Sequence, residues 1–256
     1  GETTSNTLLA PFNDQESIEK MVRENDDIAC IILEPVIGNA GCILPKDGYL
    51  QFLKEITEEN SICLLFDEVI TGFRLALGGA QERFKVRPDI TTLGKILGGG
   101  LPIGAITASK EVMEYYSPVG KVYQAGTFNG NPLSMTAGYT AISELEDGRV
   151  YKKVNELGER MKSGLDDISQ DLDLDTKVYG IASMFQMYFT KDEVVDYKTA
   201  LKADKDFFLK FQQKLLEKGI FLPPSQYECN FISYAHDSKE IDETLAKVEE
   251  TLRAIR

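Results

Sequence analysis

Two side chains in this sequence have the type and the placement to share one piece of chemistry. Asp67 follows the apolar run ICLLF, and Lys95 stands in TLGKILGGGLPIG, 28 positions later (67 to 95). A carboxylate at the end of a buried strand is costly unless a cation or a good donor meets it, so the run predicts a positive partner for Asp67. A lysine beside Gly98, Gly99 and Gly100, where backbone can come close to a ligand, suits an amine that forms a Schiff base. The glycines follow the lysine instead of preceding it, so the phosphate loop G-x-x-x-x-G-K-[ST] is absent. In QAGTFNGNPL, Gly126 and Thr127 precede a helix expected from Pro132, a position suited to a phosphate. Taken singly, each has a plainer role. Asp67 could cap a turn or pair with Arg74, Lys95 could be a solvated loop side chain, and GTFNGN could be an ordinary turn.

Taken together, a strand-end Asp and a strand-end Lys suit pyridoxal phosphate. The carboxylate keeps the pyridine nitrogen protonated, the lysine holds the aldehyde carbon, and the ring draws electrons. A single histidine, His236, leaves acid–base work to Lys, Asp, Glu or Tyr and argues against a zinc site built on imidazoles, so no metal is expected.

The elements that must position these groups follow from periodicity. IACIIL (28–33) and ICLLF (62–66) predict strands covered on both faces, and YLQFLKEITEE (49–59) has the helix period between them. Strand, helix, strand in this order predicts a right-handed crossover in a parallel sheet, where ligands gather at the carboxyl ends of strands. ITTLG and LPIGAITAS give two more strands. Helices are expected from Pro132, over 151–168, over 204–218 and from Lys239, with a strand over 183–189. The fold class is therefore α/β, a mainly parallel sheet between helices over 1–149, followed by a smaller α+β domain over 150–256.

With 41 acidic and 28 basic residues in 256, the net charge of −13 disfavours nucleic-acid backbones and anionic lipid. The four cysteines show no C-x-x-C spacing and suit a reducing cytosol; Cys30 and Cys63, inside apolar runs, are expected to pack as small hydrophobes. The longest apolar runs have strand length, so no membrane span is expected. The opening GETTSNTLLAPFND reads as the interior of a longer chain.

EPVIGNAG, LLFDEVITGFR, PDITTLGKILGGGLPIGA and GTFNGNPLSMTAG, in this order, resemble the class III (ω-type) aminotransferases, fold-type I pyridoxal-phosphate enzymes, from near Leu8 to the C-terminus. The resemblance implies that Lys95 forms the Schiff base, Asp67 partners the ring nitrogen, and Val69 packs on the ring face. Glu34 and Asn39 would line the cofactor pocket. Gly126 and Thr127 would bind the phosphate of a neighbouring subunit's cofactor, which implies a homodimer. Glu68, pointing away from Asp67, is expected to be structural, with Arg74 its partner. Within the family the aminomutase branch fits best. Ile70 stands where many ω-aminotransferases have Gln, and Glu228 in SQYECNFIS resembles that branch's segment, where an acid repels a substrate α-carboxylate. Tyr227, Cys229 and Asn230 depart from the branch's pattern. The branch implies a small-molecule reaction, (S)-4-amino-5-oxopentanoate to 5-aminolevulinate, starting from pyridoxamine phosphate, with Lys95 moving protons. It also implies a gating loop and substrate-carboxylate residues in an N-terminal part that this chain lacks. An ω-aminotransferase using a keto-acid acceptor and a non-catalytic fragment of the fold are the alternatives.

Overall fold

A computed structural model describes residues 1–256, the side chain of Glu2 aside. After a short α1 (Glu2–Ser5), the Asp14 carboxylate caps α2 (Gln15–Glu24) by accepting from the Ser17 N–H. The expected strand–helix–strand unit follows as β1 (Cys30–Leu33), α3 (Tyr49–Glu59) and β2 (Cys63–Asp67), with β1 and β2 parallel and Ile32 opposite Leu65. Tyr49, Leu50, Leu53 and Ile56 recur at helical spacing on α3 and pack with Leu64, Phe66 and Val86. Each such fully buried side chain contributes roughly 1.5–3 kcal/mol.

Next come α4 (Gly79–Phe84), β3 (Ile90–Leu93), a 3₁₀ turn (Lys95–Gly98), β4 (Ala105–Ala108), α5 (Lys110–Met113) and α6 (Pro132–Ser143). The sheet order is β1-β2-β3-β4, parallel except for β4, which runs against β3. α6 starts as its sequence predicts, with Pro132 in the first turn and the Asn131 side chain accepting from the Leu133 N–H at 3.0 Å. One expectation fails at β1. Ile31 and Leu33 pack against the α3 core, but Cys30 and Ile32 on the other face are exposed, Ile32 by 64%. β1 is the outermost strand, covered on one face only, and the fully buried thiols are Cys42 and Cys229 instead of Cys30 and Cys63.

The second half holds α7 (Arg149–Asp171), β5 (Lys177–Ile181), β6 (Met184–Tyr188), α8 (Tyr197–Ala200), α9 (Lys205–Glu217), β7 (Asn230–Phe231) and α10 (Ser238–Ile255). Its three strands form an antiparallel sheet ordered β5-β6-β7. Leu157, Met161 and Leu165 of α7, Phe208, Phe211 and Leu215 of α9, and Val248 and Leu252 of α10 bury Phe185 and Met187 of β6. Asp237 and Glu240 form a capping box that starts α10. The two halves are fastened at Tyr188, whose hydroxyl donates to the Ala40 carbonyl at 2.6 Å and accepts from the Cys42 N–H at 3.1 Å. A side chain at Gly41 would place Cβ 2.0 Å from that hydroxyl, so the joint requires glycine there. Val36, Cys42, Ile70, Met184 and Cys229 close the seam as one apolar cluster. No helix among the described residues is long and apolar enough to cross a membrane.

Candidate active site

β2 and β3 run parallel with Asp67 opposite Thr92, so Asp67 and the Leu93-Gly94-Lys95 segment leave the sheet at the same end. The half-buried Asp67 Oδ1 accepts from the Val69 N–H at 3.0 Å and from Thr92 Oγ1 at 3.2 Å. Oδ2 accepts none of the hydrogen bonds among the described residues, and no lysine or arginine of this chain forms an ion pair with it. The positive partner expected from the sequence is therefore not found among the described residues. Two neutral donors fix one oxygen and leave the other without a donor among the described residues.

Lys95 begins the 3₁₀ turn at φ +46, in the left-handed region that costs a residue with a side chain about 1–2 kcal/mol. Its side chain is exposed, and its amine forms no hydrogen bond or ion pair among the described residues. Neighbouring packing holds the strained turn. A Cβ at Gly99 would lie 2.5 Å from the Ala137 carbonyl oxygen, and one at Gly138 would lie 2.3 Å from that of Leu97. α6 thus rests backbone to backbone on residues 97–99. Gly99 and Gly138 serve that approach. Gly94, just before the lysine, lies under Val69, whose Cγ1 would be 3.4 Å from a Cβ there.

Glu34 and Asn39 bond to each other. Glu34 Oε1 accepts from Asn39 Nδ2 at 2.9 Å and Oε2 from the Gly38 N–H at 2.9 Å, which closes the EPVIGN turn after β1. That turn abuts the segment after β2, because a Cβ at Gly38 would lie 2.6 Å from Ile70 Cδ1. Glu228 is exposed, its carbonyl accepts from Gln186 Nε2 at 2.6 Å, and the adjacent Cys229 packs in the cluster with Ile70 and Val36. Gly126 and Thr127 occupy an exposed turn ahead of α6. The fold thus bonds Asp67 to Val69, sets Val69 over Gly94 next to Lys95, brings the Glu34–Asn39 turn and Cys229, beside Glu228, against Ile70, and leaves Gly126 and Thr127 on their own turn.

Glu68 and Arg74 do not pair. Glu68 accepts from Thr71, Ala80 and Gln81, whereas Arg74 reaches Ser183 Oγ at 3.3 Å, the Ile232 carbonyl at 3.4 Å and the face of Phe231 at 5.1 Å. The turn at Thr71-Gly72 sends the two side chains to different partners, and burial pulls the Arg74 guanidinium below its usual range. Thr92, which orients Asp67, went unread in the sequence. Its signal was the Thr91-Thr92 pair at the centre of the ITTL strand, one hydroxyl for each face. A separate cavity of about 660 Å³, lined by residues including Phe12, Asn13, Lys46, Tyr49 and Val195, contains none of these groups.

The model of the family described as "Aminotransferase class-III" matches residues 4–252. Two curated relatives named glutamate-1-semialdehyde 2,1-aminomutase are similar along the whole chain. The one from Methanocaldococcus jannaschii is 55% identical over 255 residues, covering 99% of this chain and 60% of its own length. The one from Methanothermobacter thermautotrophicus is 54% identical over 256 residues, covering 100% and 61%. The chain thus spans about 60% of the length of the curated relatives it matches. Among solved structures, an omega-transaminase from Sphaerobacter thermophilus superposes with a TM-score of 0.90 at 30% identity, over 96% of this chain and 57% of that one. A glutamate-1-semialdehyde-aminomutase from Pseudomonas aeruginosa PAO1 in complex with PMP shares the fold, with a TM-score of 0.88 at 22% identity over 98% of this chain and 57% of that one.

Proposed function

The chain belongs to the class III aminotransferase family, and from that premise we propose that it holds pyridoxal 5′-phosphate, alternating with pyridoxamine 5′-phosphate, and serves the shift of an amino group that turns (S)-4-amino-5-oxopentanoate into 5-aminolevulinate, a tetrapyrrole precursor. The curated relatives carry that activity in their names. The observation that carries the reading is the unpaired amine of Lys95, on a strained backbone, at the same end of the sheet as the Asp67 carboxylate, whose Oδ2 has no donor among the described residues.

These residues fit the cofactor. Asp67 Oδ2 has no protein donor among the described residues and would meet a protonated ring nitrogen, while Oδ1 is already fixed by Val69 and Thr92. Lys95 would hold the aldehyde carbon, Val69 would lie on one ring face, and Glu34 and Asn39 would line the pocket. Gly126 and Thr127, exposed before α6, would take the phosphate of a cofactor bound by the neighbouring subunit of a homodimer. When bound, the cofactor supplies an electron sink next to the substrate's reacting carbon. Once released from the aldehyde carbon, the Lys95 amine would move the proton at the reacting carbon, since His236 bonds with Ser233 in the second half of the chain. Glu228 disfavours a second carboxylate at its side of the site. In this reading residues 1–149 are part of the cofactor-binding large domain and residues 150–256 the small domain that contributes Glu228. The four free cysteines suit a cytosolic enzyme.

Incubation of the purified protein with (S)-4-amino-5-oxopentanoate and no amino acceptor should yield 5-aminolevulinate. Lys95→Ala should abolish both that turnover and the borohydride-trapped cofactor label on the Lys95 peptide. The likeness to the Sphaerobacter transaminase favours one alternative, transfer to a keto acid. Turnover that requires an added keto acid would establish it. A protein that takes up no pyridoxal 5′-phosphate would overturn both.

A further inference from the structure

Glu68 is 1% exposed, and no cation meets its carboxylate among the described residues. Donors converge on it instead. Oε2 accepts from Thr71 Oγ1 at 2.9 Å and the Ala80 N–H at 2.6 Å, and Oε1 from Gln81 Nε2 at 3.0 Å and the Gln81 N–H at 3.4 Å. Gln81 Nε2 donates as well to Thr91 Oγ1 at 3.0 Å. The backbone of Glu68 is tied twice, its N–H donating to the Thr92 carbonyl at 2.9 Å and its carbonyl accepting from the Gly72 N–H at 2.8 Å. The surroundings admit no bulk. A Cβ at Gly79 would lie 2.3 Å from Glu68 Oε2, and one at Gly72 would lie 2.6 Å from the Glu68 carbonyl oxygen.

Strand alternation places Asp67 with Thr92 on one face and Glu68 with Thr91 on the other. The groups that orient Asp67 are the Val69 N–H and the Thr92 hydroxyl, each next in sequence to a residue of the Glu68 network. We propose that Glu68 is a positioning residue. Through Thr71, Gln81 and Thr91 it locks the 68–72 turn to the end of β3, and so holds the two donors that aim the Asp67 carboxylate. Only a carboxylate offers acceptors to all four donors, since an amide at this position would set one N–H group against another. The consequence for Asp67 stands on geometry alone; its consequence for the cofactor rests on the function proposed above.

The test begins without cofactor. In Glu68→Gln, hydrogen exchange at the Val69 and Gly72 amides should lose protection roughly tenfold, while α7 and α10 keep theirs. The exchanged pair Glu68→Gln with Gln81→Glu should restore most of it. With pyridoxal 5′-phosphate bound, the pH midpoint of its visible absorbance in Glu68→Gln should move in the same direction as in Asp67→Asn. Val86→Ala, a core change beneath the same sheet, should lower stability and leave the midpoint in place. Wild-type protection at Val69 with an unmoved midpoint in Glu68→Gln overturns the proposal, and so does a uniform loss of protection across the chain. If Glu68→Gln does not fold, Gln81→Leu, which removes the donor shared with Thr91, is held to the same outcomes. A wild-type protein that takes up no cofactor refutes the proposed function, and the exchange data still decide Glu68.

Discussion

Lys95 carries its side chain on a backbone where glycine would rest unopposed. Lys95→Gly should therefore match or exceed wild-type stability by up to about 1 kcal/mol, whereas Lys95→Ala keeps the strain. Both should lose covalent capture of the cofactor. Urea midpoints of the three proteins check the first statement, and a marked drop for Lys95→Gly would refute it. The placement of Asp67 and Lys95 at strand ends was legible in the sequence because Asp67 follows the apolar run ICLLF and Lys95 the strand-like ITTLG. The strain at Lys95 was not, because it belongs to a turn whose next residues, 97–99, pack against α6 more than thirty positions later. Arg74 was misread for a similar reason. Its partners Ser183, Phe231 and Ile232 lie over a hundred positions away, and nearness in sequence to Glu68 suggested a false pair.

At the level of elements, the junction of β2 with α4 is built around one glycine. Gly79 has φ +66, and a side chain there would run into the Glu68 carboxylate. Gly79→Ala should cost about 1–3 kcal/mol, more than alanine at an ordinary exposed turn. Calorimetry checks it, and an unchanged melting temperature would contradict the packing described. Periodicity was enough to find α3, α7, α9 and α10, since each buries a stripe of large apolar residues, whereas α6, whose buried residues are Ser134 and Gly138, was marked by Pro132 at its start. Periodicity did not find β5, whose KVYGI is half-buried along its length and lacks alternation. Nor did it find β7, only two residues long and defined by its pairing with β6. The direction of β4 was also unreadable, because it depends on how the glycine-rich turn after β3 reverses the chain.

For the whole molecule, four phenols, Tyr49 and Tyr188 buried and Tyr151 and Tyr179 half-buried, set an alkaline limit. Burial pushes Tyr49, Tyr151 and Tyr179 up to about 12, and Tyr188 further still. A phenol whose folded pKa exceeds the ordinary value of about 10 stabilises the fold fully below that pH, and this contribution is lost as pH rises toward and through the folded value. The urea midpoint should stay level across this titration's onset until about pH 10 and fall above it. Tyr188→Phe should flatten the fall and lower stability at neutral pH by about 1–3 kcal/mol, because the buried Cys42 N–H loses its acceptor. A midpoint that rises above pH 10 would exclude this account.

The four-stranded sheet ends in β1 on one side and β4 on the other, and each has a single neighbour. Ile32 and Ile106, 64% and 45% exposed, stand on these outer strands. A border of this kind can bind another extended segment through backbone groups alone, whatever that segment's side chains. The chain's behaviour in solution is thus a matter of company. A segment that zipped onto either border would stiffen the ladder from outside, and Asp67 and Lys95, at the ends of its inner strands, would gain rigidity from a contact neither of them makes.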